Sequence, residues 1–122
     1  MIRFLIGRGE EISHDLVRKY PELGTVRYRR GGLPPRVAGW CLGVRSVSAI
    51  TLWRTIWLGD GAAPEAELLL HESRHVAQFG ASKAFPLLYV WESLQRGYWN
   101  NRYEIDARAY AAQRIANAQM DR

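Results

Sequence analysis

Hydrophobic and polar positions change their period once along the chain. Up to about residue 60, apolar residues alternate with polar ones or run in short blocks between glycines and prolines, as strands do. Beyond Pro64 they recur every three or four positions, as helices do. The opening "MIRFLIGRGEEI" reads as a first strand. "ISHDLVRKYPEL" holds one short helix: Ser13 can cap it, Ile12, Leu16 and Tyr20 line one side, and Pro21 and Gly24 break it. "TVRYRR" alternates as a strand and "GGLPP" is a turn. "RVAGWCLG" and "SAITLWRTIWLG" are expected as further strands. The last is dominated by β-branched and aromatic residues and closes at Asp60-Gly61.

Three helices are expected in the second half. The first begins near Pro64, whose missing N–H costs nothing in a first turn, with Glu65 and Glu67 at the positive end of the helix dipole. It runs to about Phe79, where Gly80 stops it. The second covers roughly residues 83–95, with Gly97 past its end. The third follows Asn100 and Asn101 and runs to about Asn117, through alanines and arginines that favour helix. The expected fold class is α+β in a single domain, 1–122, with a small, mostly antiparallel sheet followed by three helices.

With 48% apolar residues, a chain of 122 residues can bury a core. No apolar run approaches the roughly 20 residues of a membrane-spanning helix, and no membrane partner is expected. The amino-terminal stretch lacks the h-region of a signal peptide. The single cysteine, Cys41, cannot form an internal disulfide and reads as a small buried hydrophobe. These features favour the cytoplasm, or export by a route that needs no signal peptide. The net charge is +5 and nearly all of the positive charge is arginine, with Arg27, Arg29, Arg30, Arg36, Arg45 and Arg54 gathered in the first half. Such a bias can attract acidic partners, but it also fits a plain compositional habit, and no nucleic-acid-binding signature accompanies it.

Candidate chemistry lies at the centre, in "EAELLLHESRHVAQFG". Two histidines four apart on a helix leave the same face one turn apart, so His71 and His75 can bind one zinc ion per chain. Glu72 lies about a third of a turn round the helix. It is poorly placed as a third ligand and well placed as a general base for a water at the metal. A chance H-E-x-x-H in a chain this long should arise only about once in a few hundred cases. Leu68, Leu69 and Leu70 before the motif and Val76 and Phe79 after it make the helix a buried one. Buried histidines need polar partners, and a metal satisfies both.

A third ligand must come from elsewhere. Gln78 and Ala81 stand where a metzincin would need glycine and histidine. His14 is remote and reads as a surface residue. The acidic candidates are Glu92, Glu104, Asp106 and Asp121. Glu104 opens the third helix beside Ala107, Ala109, Ala111 and Ala112, small residues that allow close helix approach. It is the leading third ligand. It also has the Asn101-x-x-Glu104 spacing of a capping box, and Arg108 is one turn on for an ion pair. Asp106 is the substitute ligand, or a group that orients a histidine from behind.

"HESRH" followed some thirty residues later by "YEIDARAYA" resembles the gluzincin group of zinc metallopeptidases. The preceding stretch is similar to the compact minigluzincins and to peptidase-like domains of bacterial toxin and secretion proteins. The resemblance covers roughly residues 46–112. It implies a zincin-like fold, zinc on His71, His75 and Glu104, and Glu72 as the catalytic base. It also implies that a strand within residues 49–58 forms the upper rim of a cleft for an extended peptide or protein substrate. The expected function is a zinc-dependent metalloendopeptidase. The alternatives are a catalytically silent zinc-binding domain that contacts other proteins and an arginine-rich nucleic-acid module. Ser73 and Arg74 depart from the apolar and small residues expected there. Tyr89, Tyr98, Tyr103 and Tyr110 are all candidates to support a tetrahedral intermediate.

Overall fold

A computed structural model describes residues 7–35 and 48–120. The fold is α+β. Along the chain come β1 (Arg8–Glu10), α1 (His14–Lys19), a short 3-10 helix (Pro21–Thr25), β2 (Arg27–Arg30), β3 (Ala49–Leu52), β4 (Thr55–Leu58), α2 (Ala66–Ala81), α3 (Phe85–Asn100) and α4 (Arg102–Met120). The expected strand "RVAGWCLG", with Cys41, Arg36 and Arg45, lies outside the described residues, as does Asp121.

The sheet has the order β1-β2-β4-β3. β1 pairs antiparallel with β2 and β3 antiparallel with β4, while β2 and β4 are parallel, Tyr28 opposite Ile56. Two of three pairings are thus antiparallel, and the sheet is mixed. The stretch 48–59, expected as one strand, is a hairpin that turns at Trp53 and Arg54. Trp53 carries the turn with φ +54°, a left-handed conformation that is unusual for a bulky side chain. The turn has none of the glycine, asparagine or aspartate that mark such hairpins in a sequence, so the alternation runs through it unbroken. Of the expected "GGLPP" turn, Gly31 and Gly32 make the bend with positive φ, while residues 33–35 are helical. A Cβ on Gly31 would stand 2.6 Å from Asp60 Oδ1.

Ser13 caps α1 by accepting from Asp15 N at 3.2 Å, and Tyr20 follows the helix into the core. Tyr20, Leu23, Tyr28, Ile56, Leu58, Leu69, Leu70 and Ala111 make that core, with Ile12 and Leu16 packed against it. It lies between the sheet and α2, closed by the 3-10 helix and by α4. Burying each leucine contributes roughly 1.5–3 kcal/mol. Ala107 and Ala111, both inaccessible to solvent, present no bulk to the neighbouring helix and let α4 lie close along α2. Arg30, one of the clustered arginines, serves the fold: it pairs with Glu10 and donates to the carbonyls of Gly59 and Ala62.

α2 starts two residues after Pro64, with Glu65 at its N-cap, and passes Gly80 by one residue. α3 is broken at Gly97, whose φ +77° and ψ 169° are not helical. Asn101 then caps α4 by accepting from Tyr103 N at 2.8 Å. Its amide donates to Ser93 Oγ at 2.8 Å and Tyr89 O at 3.2 Å, so a fully buried asparagine ties the start of α4 to α3. Glu92 accepts from Arg102 N at 3.3 Å and adds its charge to the same helix terminus.

Candidate metal centre

α2 carries His71, Glu72 and His75 toward two different neighbours. His71 and His75 face α4, and Glu72 faces β3. Among the described residues these three form a group that could hold a metal ion, with one ligand atom from each lying within 4.8 Å of the others. Glu72 Oε2 accepts from the Thr51 hydroxyl at 2.6 Å, and both residues are buried. β3 thus fixes the carboxylate of Glu72 to one side of the histidines.

Glu104, in the first turn of α4, reaches across to α2. Its Oε1 stands 2.8 Å from His71 Nε2 and 3.2 Å from His75 Nε2. Its Oε2 accepts from the Tyr89 hydroxyl of α3 at 2.5 Å. The capping box anticipated for Asn101 and Glu104 is half made: Asn101 caps, but the Glu104 side chain turns to the histidines and Asn101 N bonds to Tyr98 O instead. Arg108 is not its ion-pair partner; that guanidinium lies over the Trp99 ring.

Behind His75 stands a chain of polar groups. Gln78 Nε2 donates to Tyr103 O and to Asp106 Oδ2, both at 3.0 Å. Two acceptors on that side fix the amide, so Gln78 Oε1 is the atom facing His75 Nδ1 at 2.8 Å. His75 therefore carries a hydrogen on Nδ1 and presents Nε2 to Glu104, the arrangement that a ligating histidine needs. Asp106 is in turn held by Arg74 Nε at 2.7 Å. Arg74, foreign to the expected motif, is accounted for by this bond and by its position over the Tyr110 ring. Asp106 does not reach a histidine itself; it acts on His75 through Gln78.

The electrostatics follow from these contacts. Burial pushes the His75 imidazole down, but the Glu104 and Glu72 carboxylates and Gln78 outweigh it and hold its pKa above the ordinary value. Burial pushes Glu104 up, but bonds from His71, His75 and Tyr89 reverse this and hold its carboxyl far below the usual carboxylate range. Burial and the adjacent Glu104 keep the Tyr89 hydroxyl protonated. Tyr98 is half exposed. Burial and the Glu104 and Glu72 charges push its hydroxyl up to about 12.

The donor set fits a metal ion. Ligand atoms of a tetrahedral zinc at about 2.0–2.1 Å stand about 3.3–3.4 Å apart. To reach that spacing the 2.8 Å His71–Glu104 separation need open by about half an ångström and the 3.2 Å His75–Glu104 separation by about 0.2 Å. Two imidazoles and one carboxylate are also a common set for such an ion.

The sequence-derived residues His71, Glu72, His75 and Glu104 all meet at this place. His14 is exposed on α1, and Glu92 is occupied with Arg96, Arg102 and the start of α4. Of the four tyrosines, Tyr89 reaches Glu104, Tyr110 bonds to Glu22, and Tyr103 packs against Phe85. Thr51 and Gln78 were not singled out for the site. Gln78 left a faint signal, since i+3 from His75 places it on the same helix face; Thr51 left none. Compared with known protein families, curated proteins and solved structures, the chain matches none.

Proposed function

We propose that this chain is a zinc-dependent metallopeptidase with His71, His75 and Glu104 as metal ligands and Glu72 as general base. The observation that carries the proposal is the division of labour between two carboxylates. Glu104 Oε1 touches both histidine Nε2 atoms, while Glu72 is drawn aside by Thr51. These contacts support Glu104 as the ligand and Glu72 as the group that works beside the ion, although the Glu72 carboxylate also lies within reach of the histidine nitrogens. Zinc held there supplies Lewis-acid activation of a water molecule and of the peptide carbonyl.

The chain's own residues supply the rest. Glu72 accepts a proton at its carboxylate and returns it to the leaving amine, and Thr51 keeps that carboxylate aimed. Tyr89 locks Glu104 from its far oxygen, and Gln78 fixes the ring of His75. Tyr98, half exposed, is the candidate donor to a developing oxyanion, since Tyr89, Tyr103 and Tyr110 are engaged elsewhere. β3 lies at the end of the strand order, with β4 as its only strand partner among the described residues. An extended polypeptide adding to that edge would run past Thr51 and so past Glu72, which favours a peptide over a small-molecule substrate.

Glu72→Gln tests the proposal. Gln keeps the size and the bond from Thr51 but cannot take a proton. Zinc content and melting temperature should stay near wild type, and hydrolysis of an unfolded protein substrate should fall by about 10²–10⁴-fold. Zinc-loaded wild type that cleaves nothing would turn the centre into a binding or structural one. Activity that survives both the substitution and a chelator would place the chemistry elsewhere in the chain.

A further inference from the structure

The tip of the β3–β4 hairpin holds a tryptophan where the backbone favours glycine or asparagine. Trp53 turns the chain with φ +54°, a strained conformation for a bulky side chain. Its ring is 65% exposed, so burial offsets little of that strain. The ring is nonetheless held in a definite place. Thr51 and Trp53, two residues apart, both come back onto α2: Thr51 reaches Glu72, and Trp53 lies against Phe79 with ring centroids 5.5 Å apart and planes at 34°.

Phe79 stands one turn beyond His75 on the same face of α2. It is braced edge-on at 4.7 Å by the buried Phe85, which packs in turn on Tyr89, the residue that holds Glu104. An exposed ring and a half-buried one therefore make an aromatic platform about 6 Å along the helix from His75, on a base continuous with the metal centre.

We propose that Trp53 and Phe79 form a subsite for a large apolar or aromatic side chain of the peptide substrate, within two residues of the bond that is cleaved. The inference rests on the peptidase reading and names the substrate class for it. An extended peptide added along the edge of β3 turns every second side chain toward α2, at a repeat of about 6.6–6.8 Å. Thr51 and Trp53 mark two places along that edge with the same two-residue spacing. When one substrate side chain lies by Thr51, Glu72 and the histidines, the next on that side lies over Trp53 and Phe79. Aromatic rings attract apolar and aromatic groups there, while an acidic side chain would lose its water with no partner in return.

The test takes the zinc-loaded chain, locates a bond that it cleaves in an unfolded protein, and varies the two residues on either side of that bond among Phe, Ala and Asp in synthetic peptides. At one of these positions Phe should exceed Ala in kcat/KM by about tenfold or more, and Asp should be poorest. Trp53→Gly keeps the turn, since glycine adopts that φ without strain, and should cut the Phe-to-Ala ratio roughly 2–10-fold at that position. Phe79→Leu should cut it in the same direction. Zinc content and melting temperature near wild type separate a lost subsite from a lost fold. Hydrolysis with no preference at any position, or with a preference that Trp53→Gly leaves intact, overturns the subsite and leaves the peptidase reading in place. If nothing is cleaved, the peptidase reading falls and binding decides the subsite. Fluorescence anisotropy of labelled peptides with Phe or Ala at every second position should then favour Phe on the zinc-loaded chain and lose that preference in Trp53→Gly. Equal binding of the two peptides, or no binding of either, overturns the proposal.

Discussion

Glu104→Gln separates a ligand from a structural bridge. In the metal-free protein Glu104 accepts from three donors: His71 and His75 at one oxygen, Tyr89 at the other. The amide keeps the shape but turns one of the two oxygens into a donor, so at least one charged hydrogen bond is lost, at about 1.5–3 kcal/mol. At about 3–5 °C per kcal/mol for a domain of this size, the metal-free melting temperature should fall by roughly 5–15 °C. The metal-dependent part is a separate quantity. Free zinc at about 1,000 times its dissociation constant adds about 4 kcal/mol to wild type, a rise of roughly 12–20 °C. Groups that merely orient a ligand cost about 10–100-fold in affinity when removed, so losing a ligand should cost at least the upper figure. The same zinc concentration would then add only about 1.4 kcal/mol, roughly 4–7 °C. Melting curves with and without zinc, together with zinc content after dialysis, read both effects. Asp106→Ala should leave the zinc-induced rise much closer to wild type. An undiminished rise in Glu104→Gln, on a lowered metal-free baseline, would refute its role as ligand.

Gln78→Leu should weaken zinc affinity about 10–100-fold, because it frees the His75 ring to rotate, and should lower metal-free stability by about 1–3 kcal/mol, because the buried His75 Nδ1 hydrogen loses its acceptor; competition with a chromogenic chelator measures the affinity, and unchanged affinity would count against the relay. Stability of the metal-free protein should also depend on pH in a definite direction. Glu104, lowered from 4.5, contributes above that pH and loses its contribution as pH falls through its folded pKa. His75, raised from 6.5, contributes below that pH and loses its contribution as pH rises through its folded pKa. Metal-free melting temperature should therefore be highest between about pH 4.5 and 6.5 and decline above it, while zinc, which displaces the His75 proton, should stabilise more as pH rises. A flat metal-free profile from pH 6 to about 8.5 would count against the pairing.

The helical half was legible because its signals are local. The four-residue spacing of His71 and His75, the break at Gly97 and the alanines of α4 each act within a turn or two of chain. Glu104 could be picked out by its place at the start of α4, though the spacing fitted a cap equally well; only the fold shows Asn101 capping while Glu104 turns away. The sheet was less legible. The Trp53–Arg54 turn has ordinary side chains, and the pairing of Leu52 with Thr55 across it comes with a positive φ at Trp53 that no local propensity announces. The parallel pairing of β2 with β4 is a long-range choice with no sequence mark. Thr51 was hidden for the same reason, since its role depends on which strand lies against Glu72. In the sequence Arg74 stands as a departure and Asp106 as a spare ligand with nothing to join them, and their bond to each other accounts for both.

The 33-residue separation of His71 and Glu104 has a mechanical consequence. An ion bonded to both closes a loop of that length, and in the chain-entropy account a permanent cross-link there is worth about 3.7 kcal/mol. Such an ion would in that sense be a removable staple. The whole of α3, with its break at Gly97, would lie inside the stapled loop. Stripping the metal would lengthen the tether on α3 while leaving β2, β4 and the leucines of α2 in place. Chelation should loosen the α3 side of the molecule first, a sequence of events that proteolysis or hydrogen exchange would record as early cuts and early exchange between α2 and α4.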